Sequence, residues 1–175
     1  VQNFSQNKGQ RRTWRKNEDV RVEHHQLEFD QQDFELYQLY QRDWHRLETP
    51  VSEIEYYEFL IESPVTTEIM RYYSADKLIG VGWIDRLAEL ISSVYFVFDP
   101  EFVSKRLGVF SLLYEIEYAR FLDIRWLYLG YWVENSPKMN YKADFQPNQI
   151  LRNSRWIPFK AQQRENSPVP ALSND

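Results

Sequence analysis

Two lysines and a tyrosine stand at helical spacing in one short run, Lys138, Tyr141 and Lys142. At i, i+3 and i+4 they share one face of a helix, so two ammonium groups and a phenol would converge on one ligand. A second cationic group lies near the start, where Lys8, Arg11, Arg12, Arg15 and Lys16 follow one another with no acid between them. Charge runs of this kind commonly form a solvated face. Their functional counterpart is anion capture by Arg11 and Arg12, because a planar guanidinium grips a carboxylate or a phosphate through two parallel hydrogen bonds. The spacing alone does not divide these cations between the two kinds of anion.

The elements that must position them can be read from the pattern. Residues 125–133 read as a buried strand, rich in Trp, Tyr and Leu and broken by Gly130. Glycine inside a strand marks a bulge or a close approach by backbone or ligand. Asn135-Ser136-Pro137 ends that strand. Residues 1–22 are polar and basic and read as an arm, with Trp14 as its apolar anchor. Residues 30–45 read as a helix capped by Asp30, and residues 52–63 as a second, with Ser52 and Glu55 forming a capping box. Its expected buried side is Ile54, Tyr57, Phe59, Leu60 and Ile61. The period then changes to that of strands over 66–73, 78–87 and 90–99, an antiparallel meander with a turn at 74–77. Residues 105–124 read as a long amphipathic helix, and 155–159 as a last strand. The segment from 161 carries Ser-Pro and Pro-Ala and reads as a disordered tail.

Composition bounds the options. The chain has 175 residues, with 43% hydrophobic and 17% aromatic residues, enough for one packed domain. No apolar run approaches the roughly 18 residues that span a bilayer, and the N-terminal stretch is too polar for a secretory signal. There are no cysteines, so this chain offers no disulfide, thiolate metal site or cysteine nucleophile. A net charge of −5 argues against general nucleic-acid binding through the overall field. An RNA partner would have to use local patches.

Three ordered segments resemble one family: QRRTWRKN, SSVYFVFDPEFVSKRLGVFSLLYEIEYA, and YLGYW followed by KMNYKADFQP. Together they look like the signature of the aminoacyl-tRNA–protein transferases, and the resemblance runs from about residue 1 to residue 156. It implies transfer of leucine or arginine from charged tRNA to the N-terminal amine of proteins that begin with Asp or Glu, a mark for proteolysis. It further implies cytoplasmic work, charged tRNA and acidic-ended proteins as partners, no membrane, and no cofactor or metal beyond the tRNA donor. The compact spacing favours the bacterial, leucyl type. In the family a cysteine-rich segment precedes the QRR motif. This chain starts at Val1 without it and so reads as a fragment or a reduced relative. Where the family has an arginine-histidine pair, this sequence has Trp44-His45, which makes His45 a structural residue first.

The element order also resembles the acetyl-CoA-using N-acetyltransferases. The expected class is α+β, a GNAT-like acyltransferase fold whose mixed, mostly antiparallel sheet carries helices on both faces. The expected division is an arm over 1–22, the transferase domain over 23–160 and the tail over 161–175. In acetyl-CoA users, the loop entering the central helix ends on a small residue that lets pyrophosphate approach the helix N-terminus. Here it reads Lys105-Arg106-Leu107-Gly108-Val109-Phe110. Phe110 is expected to obstruct pyrophosphate, which leaves Arg106 or Lys105, with Gly108, for tRNA.

An aminoacyl ester is already activated. It requires orientation, a neutral amine and stabilisation of the oxyanion, not a covalent nucleophile. Asp85, at a strand end, is the acid expected to hold or deprotonate the amine. Tyr95 and Tyr128 are expected to donate hydrogen bonds, and Tyr131 or Trp132 to stack on the terminal adenine. Gly130 opens the site. Arg11, Arg12, Lys138, Tyr141 and Lys142 are to bind substrate. The rival readings are an acetyl-CoA-dependent N-acetyltransferase and a non-catalytic binding module that keeps the fold.

Overall fold

In a computed structural model of the chain, the described residues are 1–133, 136 and 139–159. They fall into two compact units, Val1–Tyr131 and Trp132–Asp175.

The first unit is a five-stranded sheet in the order β1-β2-β3-β4-β5. Its strands are β1 (Val20–Gln26), β2 (Thr66–Ser74), β3 (Lys77–Arg86), β4 (Leu90–Phe98) and β5 (Trp126–Tyr128). The first four are antiparallel and β5 alone is parallel to its neighbour. The meander follows from its turns. Ala75 takes a positive φ of 51° between β2 and β3, and a two-to-one bulge on β4 follows Trp83. Alternation along β2 sends Ile69 and Arg71 to one face and Met70 and Tyr72 to the other. Both faces are covered, which is why Trp83, Ile69, Tyr72, Ile79 and Ile84 are fully buried. Gly80 and Gly82 are needed on β3 because the Phe96 ring lies across them; a Cβ there would stand 3.1 and 3.2 Å from it.

Helix α2 (Gln31–Asp43) and the short α3 (Glu53–Tyr56) cover one face. Asp30 caps α2, and Ser52 with Glu55 forms the capping box of α3, as their spacing requires. The second helix does not continue as an α-helix. It passes into a π-helical turn over Tyr57–Ile61, closed by Glu62 N–H to the Tyr57 carbonyl. That extra residue per turn rotates the buried side. Tyr56, Leu60 and Ile61 are buried, while Ile54, Tyr57 and Phe59 are 70%, 44% and 53% exposed. The expectation that all of the latter three face the core is therefore corrected.

Helix α4 (Leu107–Phe121) lies on the other face, and α1 (Lys8–Lys16) packs beside it through Trp14 and Phe110, 5.5 Å apart. Residues 1–22, expected as a basic arm anchored by Trp14, are held there by that residue. They form a helix and the start of an edge strand inside the first unit. Asn7 and Gln10 make a reciprocal capping box, and the side of α1 facing inward is polar: Gln10, Thr13 and Asn17. Arg120 of α4 ties down the preceding segment through the carbonyls of Val1 and Phe4.

The second unit contains a 3-10 turn over Asn140–Asp144 and a hairpin of β6 (Asn148–Arg152) and β7 (Arg155–Phe159). Asn153 and Ser154 both take positive φ, the signature of a tight two-residue hairpin turn. Only β7 was expected from the sequence. The expected tail, 161–175, lies outside the described residues.

Candidate active site

The sheet opens at one place. β5 pairs with β4 through Leu90–Trp126, Ile91–Leu127 and Ser92–Tyr128 only. Beyond Ser92, among the described residues, residues 93–98 have a strand neighbour on one edge alone. Parallel strands joined by a helix place that helix's N-terminus at the carboxyl ends of the strands, so α4 begins on the opening side. A cleft between diverging parallel strands beside a helix N-terminus is a general position for ligands in such sheets.

A row of polar side chains crosses the sheet at the base of this opening. Thr67, Asp85, Ser92 and Tyr128 are successive register partners on β2, β3, β4 and β5. The Thr67 hydroxyl donates to Asp85 Oδ1 at 2.6 Å, which fixes the half-buried carboxylate at the end of β3. The β4 bulge then sets the next residue. Val94 is the extra residue, so Tyr95 pairs with Trp83 and lands on the same face as Asp85. Without the bulge, Tyr95 would face α4.

Tyr95 is held from above by α2. The Gln41 amide Nε2 donates to Tyr95 Oη at 3.0 Å, with the rings of Tyr37 and Phe59 at 6.0 and 5.4 Å. Because that oxygen accepts from Gln41, its own O–H points away from the amide and is left to donate elsewhere. Burial pushes the Tyr95 pKa up, which keeps it a donor. α2 is anchored for this by Arg71 of β2. Its guanidinium donates to both Asp33 oxygens at 2.9–3.1 Å and reaches Asp30 at 3.1 Å. Asp33 is fully buried, and burial raises its pKa against the pull of Arg71.

On the α4 side, Ser93 donates to the buried Glu115 at 3.3 Å. Arg106 stands at the helix N-terminus in the left-handed region, φ 56°, exposed and with no acid in the first turn. A Cβ on Gly108 would meet nothing within 4 Å, so the approach to this turn is open. Phe110 does not obstruct it. Its ring is buried among Trp14, Tyr72 and Tyr114, and the steric case against pyrophosphate fails. Lys105 is engaged with Asp19 at 2.7 Å.

The remaining expected residues separate. Asp85, Tyr95 and Tyr128 come together at the base of the opening, while Arg11 and Arg12 lie exposed on α1. Gly130 is not within the strand. It follows its end with φ 72°, a conformation that favours glycine. The expected buried strand is only three residues long, and Tyr131 beyond it is 90% exposed. Tyr141 and Lys142 are half-buried in a 3-10 turn of the second unit, not on an α-helix. Lys138 lies outside the described residues. Trp132 packs 4.8 Å from Phe159 in the second unit. His45 is exposed, edge-on to Tyr40 at 5.0 Å. Gln41 and Glu115 carried no sequence signal: each occupies an ordinary helical position, and only the fold brings them to β4.

Residues 32–152 match the family model described as "Arginine-tRNA-protein transferase, C terminus". The chain is similar to two proteins named aspartate/glutamate leucyltransferase. That of Hahella chejuensis is 33% identical over 160 residues, 90% of this chain and 68% of the relative. That of Teredinibacter turnerae is 35% identical over 157 residues, 88% and 65%. The chain thus spans about two thirds of the length of these relatives. In structure it resembles the ribosomal-protein-S18-alanine N-acetyltransferase of Escherichia coli, with a TM-score of 0.54 at 15% identity over 85% of this chain and 100% of that one. The fold is that of the GNAT acetyltransferases. The match over 32–152, with relatives 33% and 35% identical over about nine tenths of the chain, means that this chain belongs to the aminoacyl-tRNA–protein transferase family.

Proposed function

We propose that the chain transfers leucine from charged tRNA to the N-terminal amine of proteins that begin with Asp or Glu, in the cytoplasm, without a further cofactor. The observation that carries this reading is the match of residues 32–152 to a family named for transfer from tRNA to protein. The relatives' names supply leucine and the acidic acceptor.

In this reading the 3′-terminal aminoacyl ester enters the opening beside β4, its ribose toward Arg106 and Gly108. Asp85 accepts an N–H of the incoming amine and holds it. The amine nitrogen attacks the ester carbonyl, and Tyr95 donates its O–H to the developing oxyanion, which is stronger in a site walled from water. Tyr128, in register with Ser92, donates from the other strand. An N–C bond forms, the ester C–O bond breaks, and the proton lost by the amine ends on the departing ribose oxygen. A free α-amine titrates near pH 7.7–8, so no strong base is required. Tyr131, exposed just beyond β5, stacks on the terminal adenine.

The test is transfer of labelled leucine, and separately arginine, from charged tRNA to peptides beginning with Asp, Glu or Ala. The reading expects leucine on the Asp and Glu peptides. No transfer of either amino acid rejects it, and arginine alone corrects the donor.

A further inference from the structure

The face of α1 that points away from the core is unlike the rest of this acidic chain. Its five cations, Lys8, Arg11, Arg12, Arg15 and Lys16, are all exposed, and no acid interrupts them. Lys8, Arg12 and Lys16 recur every fourth residue and form one stripe, with successive charges about 6 Å apart along the axis. Arg11 and Arg15 flank it, around a depression of about 470 Å³ shared with Trp14, Gln6 and Glu117. The one acid there, Glu117, is already paired with Arg120 at 2.7 Å. The stripe is rigid because polar contacts hold the inner side of the helix: Gln10 in the capping box, Thr13 on the Gly9 carbonyl, Asn17 on the carbonyls of Thr13 and Lys105.

Its direction matters. Asn17 donates to the Lys105 carbonyl at 2.9 Å, so the C-terminal end of α1 abuts the loop that opens α4. Arg15 and Lys16 thus stand next to the opening side of the sheet, and Lys8 lies about 12 Å beyond Lys16 along the axis.

We propose that this stripe is the docking surface for the duplex arm of the donor tRNA, with Lys8, Arg12 and Lys16 gripping consecutive phosphates while the 3′ end runs past Arg106 into the opening. The inference rests on the proposed transferase reading and deepens it. It assigns Arg11 and Arg12 to phosphate and not to the acceptor carboxylate. RNA duplexes are gripped through shape and backbone, which suits a straight cationic stripe without base-reading side chains.

The test compares the full chain with K8Q/R12Q/K16Q and with the charge-preserving K8R/R12K/K16R. tRNA binding is measured across salt concentrations, with folding checked by circular dichroism. The proposal expects K8Q/R12Q/K16Q to bind about tenfold to a hundredfold more weakly near 0.1 M salt, with the log–log salt slope shallower by about 2–3. The charge-preserving variant keeps both. The loss is expected to be at least tenfold larger for intact tRNA than for a short single-stranded oligonucleotide ending in the same 3′ sequence. An unchanged slope, equal losses on both RNAs, or displacement of tRNA by polyglutamate at equal charge overturns it. If wild type transfers leucine from tRNA and the slope is unchanged, only this inference falls. If wild type neither binds nor uses tRNA, the transferase reading falls with it.

Discussion

Strands β3 and β5 are spelled in similar letters, Leu-Ile-Gly-Val-Gly-Trp-Ile in one and Trp-Leu-Tyr-Leu-Gly-Tyr-Trp across the other and its continuation. Trp83 on β3 is fully buried, whereas Trp126 is 38% and Tyr131 90% exposed. β3 has a strand on each edge and helices on both faces. β5 has a strand on one edge for three residues. Burial is therefore decided by neighbours and not by composition. The aromatic residues at the end of the sheet that opens are surface, in the place where a ligand with flat rings would gain most from them.

The largest effects should sit in the closed half. Trp83→Ala should lower stability by about 3–5 kcal/mol in urea unfolding, and Tyr131→Ala by less than about 0.5 kcal/mol. Comparable losses would erase the contrast. Arg71→Met leaves the Asp33 carboxylate buried without its partner and should cost about 3–5 kcal/mol, while Arg71→Met with Asp33→Leu recovers much of it. If the double variant is as unstable as the single one, the pair is not what ties α2 to β2.

In the open half the effect should fall on rate. Tyr95→Phe should lower kcat for aminoacyl transfer by about a hundredfold, with stability changed by less than about 1 kcal/mol. Gln41→Leu frees the Tyr95 oxygen from its donor, and its effect should not add to that of Tyr95→Phe. Additive losses would mean that Gln41 acts by another route.

The smallest effect concerns the β1 edge. His24 lies 3.0 Å from the Tyr114 hydroxyl and 3.9 Å from Glu68, its ring 4.3 Å from Tyr118. Burial lowers its pKa from 6.5, the nearby His25 lowers it further, and the Glu68 carboxylate offsets only part of that fall. The unfolded chain then binds more protons over the window just below 6.5, so stability should rise with pH there and be lost as pH falls through the lowered value. His24→Gln should flatten that limb of a stability–pH curve. A fall in stability on raising pH through the window would reverse the sign.

How much was legible follows from the kind of signal. The meander, α4 and the caps at Asp30 and Ser52 are local, written in period and in side-chain-to-backbone bonds. α1 was illegible because its inward residues, Gln10, Thr13 and Asn17, are polar and leave no apolar period. The π-helical turn broke the 3.6-residue count by which Phe59 and Tyr57 were expected inside. Asp85, Tyr95 and Tyr128 could be suspected from residue type and strand ends. That Tyr95 faces the side of Asp85 depends on a bulge at Val94, which no property of that valine announces.

Transfer as proposed requires the aminoacyl end of tRNA to sit where β5 leaves β4. A non-hydrolysable 3′-aminoacyl-adenosine analogue with a photoreactive group on its side chain tests this directly, with the cross-linked peptide read by mass spectrometry. Adducts are expected on residues 92–98 or at Gly130 and Tyr131, reduced by competing charged tRNA. Competable adducts confined to the β2–β3 turn at residues 74–77, or to the β1 edge, would contradict it.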